Sequence, residues 1–397
     1  MNPGLSQLRP YPFERLRELL HGVTAPAHLG AINLSIGEPK HATPALIHQA
    51  LTQALGGLAQ YPATKGSDAL RQTMAAWISQ RYQLPTLDPD TQLLPVNGSR
   101  EALFSFVQAC INPHDKALVV VPNPGYQIYE GAALLAGAQL RYLATTAGNQ
   151  WRMPWNDLSA DDWARVKLVF VCSPGNPSGH VMSLAEWQEL FALSDRHGFI
   201  IAADECYSEL YTPGHPPLGS LQAAHQLGRS TFPRLLSFSS LSKRSNVPGL
   251  RSGYVAGDAT LMSSFFAYRT YHGSAMGPAI QAASIAAWND ETHVDDNRAA
   301  YQAKFDHMHP ALQDILPCQR PTASFYLWAR TPGADTDYVR HVYEQTNVLM
   351  LPGSFLGRTV NGFNPGEGHV RLALVAPLAE IREATRRLRA LHGLPPL

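Results

Sequence analysis

The chain has four cysteines in 397 residues, Cys110, Cys172, Cys206 and Cys318. None stands near enough to another to make a CxxC pair, which argues against a disulfide frame or a zinc site. They read instead as reduced core residues of a cytoplasmic protein. Net charge is also missing: Lys+Arg and Asp+Glu each number 31. No net field then favours nucleic acid or an anionic membrane. Long apolar runs are absent too, and MNPGLSQLRPYPFERL carries no continuous apolar segment, so neither export nor membrane insertion is expected.

What is present is an ordinary globular composition, 45% hydrophobic and 16% charged, in a chain long enough for two domains. Between residues 117 and 256, short apolar segments alternate with helical periodicity. The expected strands are Ala117–Val121, Leu140–Leu143, Leu168–Cys172, Phe199–Ala203, Leu235–Phe238 and Gly253–Ala256. Such strands, covered on both faces, predict a mostly parallel α/β sheet with ligands at its carboxyl edge. A further strand, Leu93–Val96, runs into Asn97-Gly98-Ser99-Arg100 and a helix, an arrangement that offers free N–H groups to an anion. Thr43-Pro44 is read as a helix start and Gly56-Gly57 as its stop. Ser183 and Glu186 form a capping box for a helix expected to bury Leu184, Trp187, Leu190 and Phe191. Beyond residue 290, Ser324–Trp328 and His369–Val375 read as strands, and Leu378, Ile381, Leu388 and Leu391 stripe a terminal helix. A smaller α+β domain fits that texture, completed by the N-terminal arm.

The stretch Leu235–Tyr254 concentrates the chemistry. Lys243 follows Ser240 by three residues and precedes Arg251 by eight. A reactive amine beside a planar fork of donors suits a cofactor with an aldehyde and a phosphate, namely pyridoxal 5′-phosphate; a solvated basic loop is the alternative. Asp204 ends the apolar strand Phe-Ile-Ile-Ala-Ala, where a buried carboxylate needs a cation such as a protonated pyridine nitrogen, unless it caps a helix starting near Glu205. Tyr207 and Asn176 can each reach that ring's phenolic oxygen, and Tyr126 can stack on its face, although a turn asparagine and a core tyrosine are the plainer readings. Arg371 lies among apolar neighbours and needs a carboxylate, either a substrate's or a structural one. No grouping reads as a metal site.

Taken in order, Asn97-Gly98-Ser99, Pro122-x-Pro124-x-Tyr126, Asn176-Pro177-x-Gly179, Asp204-x-x-Tyr207, Ser240-x-x-Lys243, Arg251 and Arg371 resemble the class I/II aminotransferases of PLP fold type I, over essentially the whole chain. The resemblance implies a large PLP-binding domain over 40–290 with a seven-stranded-type sheet, a small domain from 1–39 and 291–397, and a homodimer with shared active sites. It implies Lys243 as the residue that holds the aldehyde and moves the proton, with Asp204 and Tyr207 beside it. Ser99 and Arg100 by their backbone, and Ser240 and Arg251 by their side chains, would hold the phosphate. Tyr61 would add a bond from the neighbouring subunit, and Gly37 and Arg371 would meet the substrate carboxylate.

The segment Leu241–Arg251 with His272-Gly273-Ser274-Ala275-Met276 is most similar to N-succinyldiaminopimelate aminotransferases of bacterial lysine synthesis. The expected substrates are therefore an amino acid and a 2-oxo acid, with Arg269, His272 and Ser274 as candidates for the distal group. The rivals are another class I aminotransferase acting on aspartate, alanine or an aromatic donor, and a PLP carbon–sulfur lyase. A transcription regulator with an aminotransferase-like body is disfavoured by the neutral charge and by a body that starts near residue 13.

Overall fold

Stretches such as Val166-Lys-Leu-Val-Phe-Val-Cys172 and Leu118-Val-Val-Val-Pro-Asn123 are rich in valine and buried at most positions, so they form central strands covered on both faces. The computed structural model describes residues 1–395. Its strands in chain order are β1 (Ile32–Asn33), β2 (Leu93–Val96), β3 (Leu118–Asn123), β4 (Gln139–Ala144), β5 (Val166–Cys172) and β6 (Ile200–Asp204), then β7 (Leu235–Ser240), β8 (Gly253–Gly257), β9 (Tyr326–Arg330), β10 (Val348–Leu349), β11 (Leu351–Pro352) and β12 (His369–Ala373). The main sheet has seven strands in the order β2-β8-β7-β6-β5-β3-β4. Only β8 runs against its neighbours. The chain is thus the α/β fold with a mostly parallel, helix-covered sheet that the alternating pattern predicts.

Register aligns the functional ends of three strands. Cys172 pairs with Asp204 and Asp204 with Phe238, so the chain leaves β5, β6 and β7 at one level. Helices on the two faces bury separate apolar clusters, one around Trp77, Trp187 and Trp288 and the other around Phe106, Phe170 and Phe265. A third cluster joins Leu16, Ile32 and Leu34 to residues from Phe305 to Leu388. Its three-stranded antiparallel sheet, β11-β12-β9, is flanked by the parallel pair of β1 with β10. The arm from Leu16 to Leu34 therefore packs with the C-terminal third, whereas at its start Asn2 donates to the Leu135 carbonyl beside the main sheet.

Several local expectations need correction. Thr43 does not cap the helix Ala45–Gln53; its hydroxyl donates to the Asn246 carbonyl, and Pro44 takes the cap position. Gly56 and Gly57 do not end that helix but lie in the 3-10 turn Leu55–Ala59 after it. The capping box of Ser183 with Glu186 is formed, yet Leu184 is exposed because position N1 points off the buried stripe. Ser324 precedes its strand, with φ at 102° and its amide bonded to the Leu210 carbonyl, so β9 begins at Tyr326. All four cysteines are free. Among the described residues no helix is long and apolar enough to cross a membrane, and no cluster of three metal-ligating side chains occurs.

Candidate active site

At the carboxyl edge of the main sheet, the arm around Gly37 closes over a cavity of about 550 Å³. Of the twelve residues singled out above, Gly37, Ser99, Arg100, Tyr126, Asn176, Asp204, Tyr207, Ser240, Lys243, Arg251 and Arg371 all line it. Tyr61 does not; it is fully exposed on the outside of the chain.

Lys243 sits on the short helix Leu241–Arg244 that leaves β7, with Ser240 at the cap position and the Leu241 amide bonded to the Ser252 carbonyl. Arg251 is held with φ at 57° in the turn that follows, and its guanidinium donates to the carbonyls of Pro248 (3.0 Å) and Asn97 (3.1 Å). Gly98 lies against that guanidinium. With φ at 82°, and with no room for a Cβ above Arg251, this position requires glycine. Its turn delivers the first amides of the helix Ser99–Cys110 to the same corner as Arg251 and Ser240. Free helix-start amides, a hydroxyl and a guanidinium make a phosphate-sized anion site.

Asp204 is 2% exposed. The Tyr129 hydroxyl donates to one oxygen at 2.7 Å and the Cys206 amide to the other at 3.2 Å. Burial raises its pKa, and those bonds and the more distant Lys243 only partly offset the effect. No helix starts at Glu205; the next one is Ser220–Gln226, so Asp204 is not a helix cap. The carboxylate faces a cavity that also holds an amine and an anion site, which suits a ligand with a cationic ring atom between an aldehyde and a phosphate.

The remaining residues form the outer wall. The Tyr207 and Tyr326 hydroxyls are 3.1 Å apart. Arg371 lies over the Tyr326 ring and donates to Asn176 Oδ1 (3.0 Å) and to the Ser35 carbonyl (2.8 Å), with its Nε unpartnered. Among the described residues no carboxylate pairs with it, so it is not part of a structural ion pair. Gly37 must be glycine because a Cβ there would overlap the Tyr326 hydroxyl.

Sequence reasoning missed four groups. Arg100 contributes more than backbone: Nε donates to the Tyr126 hydroxyl (2.8 Å) and an Nη to the Tyr11 hydroxyl (3.0 Å), again with no carboxylate partner among the described residues. Tyr11 carried no signal. Tyr129 was recoverable as the residue one helical turn beyond Tyr126, on the same face. Tyr326 lies inside an expected strand, but nothing local told which face it takes. Of the candidates for distal recognition, Arg269 is fully buried and bonded to both oxygens of Glu101 and to the Ser274 carbonyl, while His272 and Ser274 bond each other and do not line this chain's own cavity.

The sequence model of the aminotransferase class I and II family matches residues 30–388. A crystal structure of an aminotransferase from Neisseria meningitidis Z2491 superposes with a TM-score of 0.96 at 53% identity, over 98% of this chain and 100% of that one. An LL-diaminopimelate aminotransferase from Nitratidesulfovibrio vulgaris (strain DP4) is 33% identical over 397 residues, 98% of each chain. A structure described as a probable N-succinyldiaminopimelate aminotransferase from Thermus thermophilus has a TM-score of 0.83 at 26% identity, over 96% of this chain and 98% of that one.

Proposed function

The chain belongs to the class I and II aminotransferases, a pyridoxal-phosphate-dependent family, and from that premise we propose that it moves an amino group between N-succinyl-LL-2,6-diaminopimelate and 2-oxoglutarate, giving N-succinyl-2-amino-6-oxopimelate and glutamate. Support for the cofactor's seat comes from the buried Asp204, which lacks a cation, and from the glycine-lined corner at Arg251. Pyridoxal phosphate, when bound, supplies an aldehyde that takes up the amino group and a ring that accepts the electron pair left when the substrate Cα–H bond breaks.

The chain's own groups have the following roles in this reading. The Lys243 amine would hold the cofactor's aldehyde and would move the proton at the substrate Cα. Asp204 keeps a negative charge opposite the ring nitrogen, steadied by Tyr129. Tyr207 and Asn176 would donate to the cofactor's phenolic oxygen, and Tyr126 would support its ring. The amides of Ser99 and Arg100, with the Ser240 hydroxyl and Arg251, hold the phosphate. Arg371 and the Gly37 backbone receive the substrate α-carboxylate. Residues 40–290 act as the large domain and 1–39 with 291–397 as the small one. In a homodimer, the exposed Tyr61 extends to the partner's site.

One observation carries the substrate class: Arg100 presents a guanidinium whose side-chain partners are the neutral phenols of Tyr11 and Tyr126. A carboxylate at the far end of a long donor would complete it. A second reading, transfer from LL-diaminopimelate itself, is favoured by the Nitratidesulfovibrio relative and by exposed Glu38 on the cavity lining, whose carboxylate suits a free distal ammonium. Single-turnover conversion of the yellow holoenzyme to its pyridoxamine form distinguishes them. Fast conversion by the N-succinyl donor supports the first reading, and conversion by the free diamine alone supports the second. Conversion by aspartate or alanine with neither diaminopimelate donor active would overturn both.

A further inference from the structure

Lys304 is 1% exposed, on the long helix Thr292–Leu312, and no carboxylate pairs with it among the described residues. Its Nζ lies 2.6 Å from His41 Nε2 and 3.3 Å from the Val375 carbonyl. His41 Nδ1 lies 2.8 Å from Asn297 Oδ1, and Asn297 Nδ2 donates to the backbone carbonyls of Lys243 (3.1 Å) and Arg244 (3.2 Å). Asn246 Nδ2 donates to the same Asn297 oxygen at 2.9 Å. A buried amine in the C-terminal third is thus joined through two side chains, His41 and Asn297, to the peptide of the residue proposed to carry the cofactor. His41 stands four residues from Gly37 in the arm that closes the cavity.

Donor and acceptor counting fixes the direction of this line. An ammonium has no lone pair, so a charged Lys304 forces His41 to accept at Nε2 and to carry its proton on Nδ1. That N–H then donates to Asn297 Oδ1 and locks the amide with its NH2 toward Lys243 and Arg244. A neutral Lys304 can accept from His41 Nε2–H, which turns the Nδ1 lone pair on Asn297 Oδ1 and leaves Asn246 as that oxygen's remaining donor, so the amide is held less firmly. We propose that Lys304, His41 and Asn297 are positioning residues for Lys243, with the charge on Lys304 setting how firmly its peptide is held. The inference rests on Lys243 bearing the cofactor.

Burial lowers the Lys304 pKa to about 7, and burial followed by Lys304 lowers that of His41. The Tyr301 ring faces both, from the same helix, at 4.7 Å from the amine and 4.8 Å from the imidazole centroid. Lys243 and Arg244 contribute their carbonyls, and β12's exit contributes the Val375 carbonyl, with no titratable side chain in contact from that element.

The test records the visible absorption of the cofactor-loaded protein against pH for the unsubstituted chain, Lys304→Met, Asn297→Ala and the double variant. A relay predicts that each single variant displaces the midpoint of the spectral transition by about half a pH unit or more, and that the double variant matches Asn297→Ala alone. KM is expected to stay within about twofold while kcat falls. His41→Gln replaces Lys304→Met in the same cycle if the latter does not fold. Superimposable transitions, or shifts that simply add, would overturn the relay. Absence of any visible band in the unsubstituted protein would instead overturn the attachment of the cofactor to Lys243, and the relay with it.

Discussion

The Tyr129 hydroxyl donates to the Asp204 carboxylate at 2.7 Å, and its ring stacks on Phe170 within the apolar layer that surrounds both. A neutral donor lowers the cost of this buried charge without cancelling it, and burial leaves the Asp204 pKa raised. A carboxyl raised in the folded state contributes stability below its unfolded pKa, and that contribution is lost as pH rises through the folded value. Asp204→Asn is therefore expected to raise the melting temperature of the cofactor-free protein at pH 7, with less gain at pH 4. The same substitution should slow the amino-transfer half-reaction by about 10²–10³-fold, since the negative charge opposite the ring is gone. Thermal melts at the two pH values and single-turnover rates check both halves.

Arg100→Met keeps an apolar stem beneath Tyr126 while removing the guanidinium. If the distal carboxylate of the donor binds there, kcat/KM for a diaminopimelate donor should fall about 10–100-fold, the worth of a charge-assisted bond, while that for alanine stays within a factor of two. Tyr11→Phe should move the same ratio by only a few-fold. Steady-state kinetics on paired donors reads this out, and an equal loss on both donors would remove Arg100 from substrate recognition.

Gly37 and Tyr326 are fitted to each other, because a Cβ at 37 would occupy the place of the Tyr326 hydroxyl. Gly37→Ala should displace that hydroxyl from Tyr207 and cost about 1–3 kcal/mol in kcat/KM through forced repacking. Tyr326→Phe makes space, so Gly37→Ala with Tyr326→Phe should be more active than Gly37→Ala alone. A double-mutant cycle gives the sign directly.

Legibility in the sequence followed distance along the chain. Lys243, Asp204 and Arg251 were readable because strand ends, turns and glycines lie within a few residues of them. The Arg100 contact with Tyr11 spans 89 positions and that of Lys304 with His41 spans 263, so neither local pattern nor periodicity could reveal them. Arg269 misled for the same reason. Its half-buried partner Glu101 is 168 positions away, so the sequence could not choose between packing and substrate binding for this arginine. The sheet was legible because β5, β6 and β7 are apolar nearly throughout, whereas helix limits at Thr43 and Gly57 depended on tertiary bonds.

Glu209 carries the last prediction. It is 3% exposed and accepts from Arg81 Nε at 2.8 Å and from an Arg298 Nη at 2.7 Å. Burial alone would push its pKa up, but Arg81, Arg298 and Arg244 outweigh that and hold it below the ordinary glutamate value. A depressed carboxyl contributes stability above its unfolded pKa of about 4.3, and that contribution is lost as pH falls through the folded value. Glu209→Gln removes the carboxylate shared by half-buried Arg81 and buried Arg298, and since Arg298 keeps Asp295 and Arg81 keeps the Ser208 carbonyl, it should cost about 1–3 kcal/mol at pH 7. The difference from the unsubstituted chain should shrink as pH falls through the lowered native value, where the native carboxyl also becomes neutral. Urea unfolding at pH 7 and pH 3.5 measures it, and a pH-independent difference would mean that lost packing, not charge, accounts for the effect. Arg298 neighbours Asn297 on the same helix, so the variant should also displace the visible transition of the loaded protein if that helix positions Lys243.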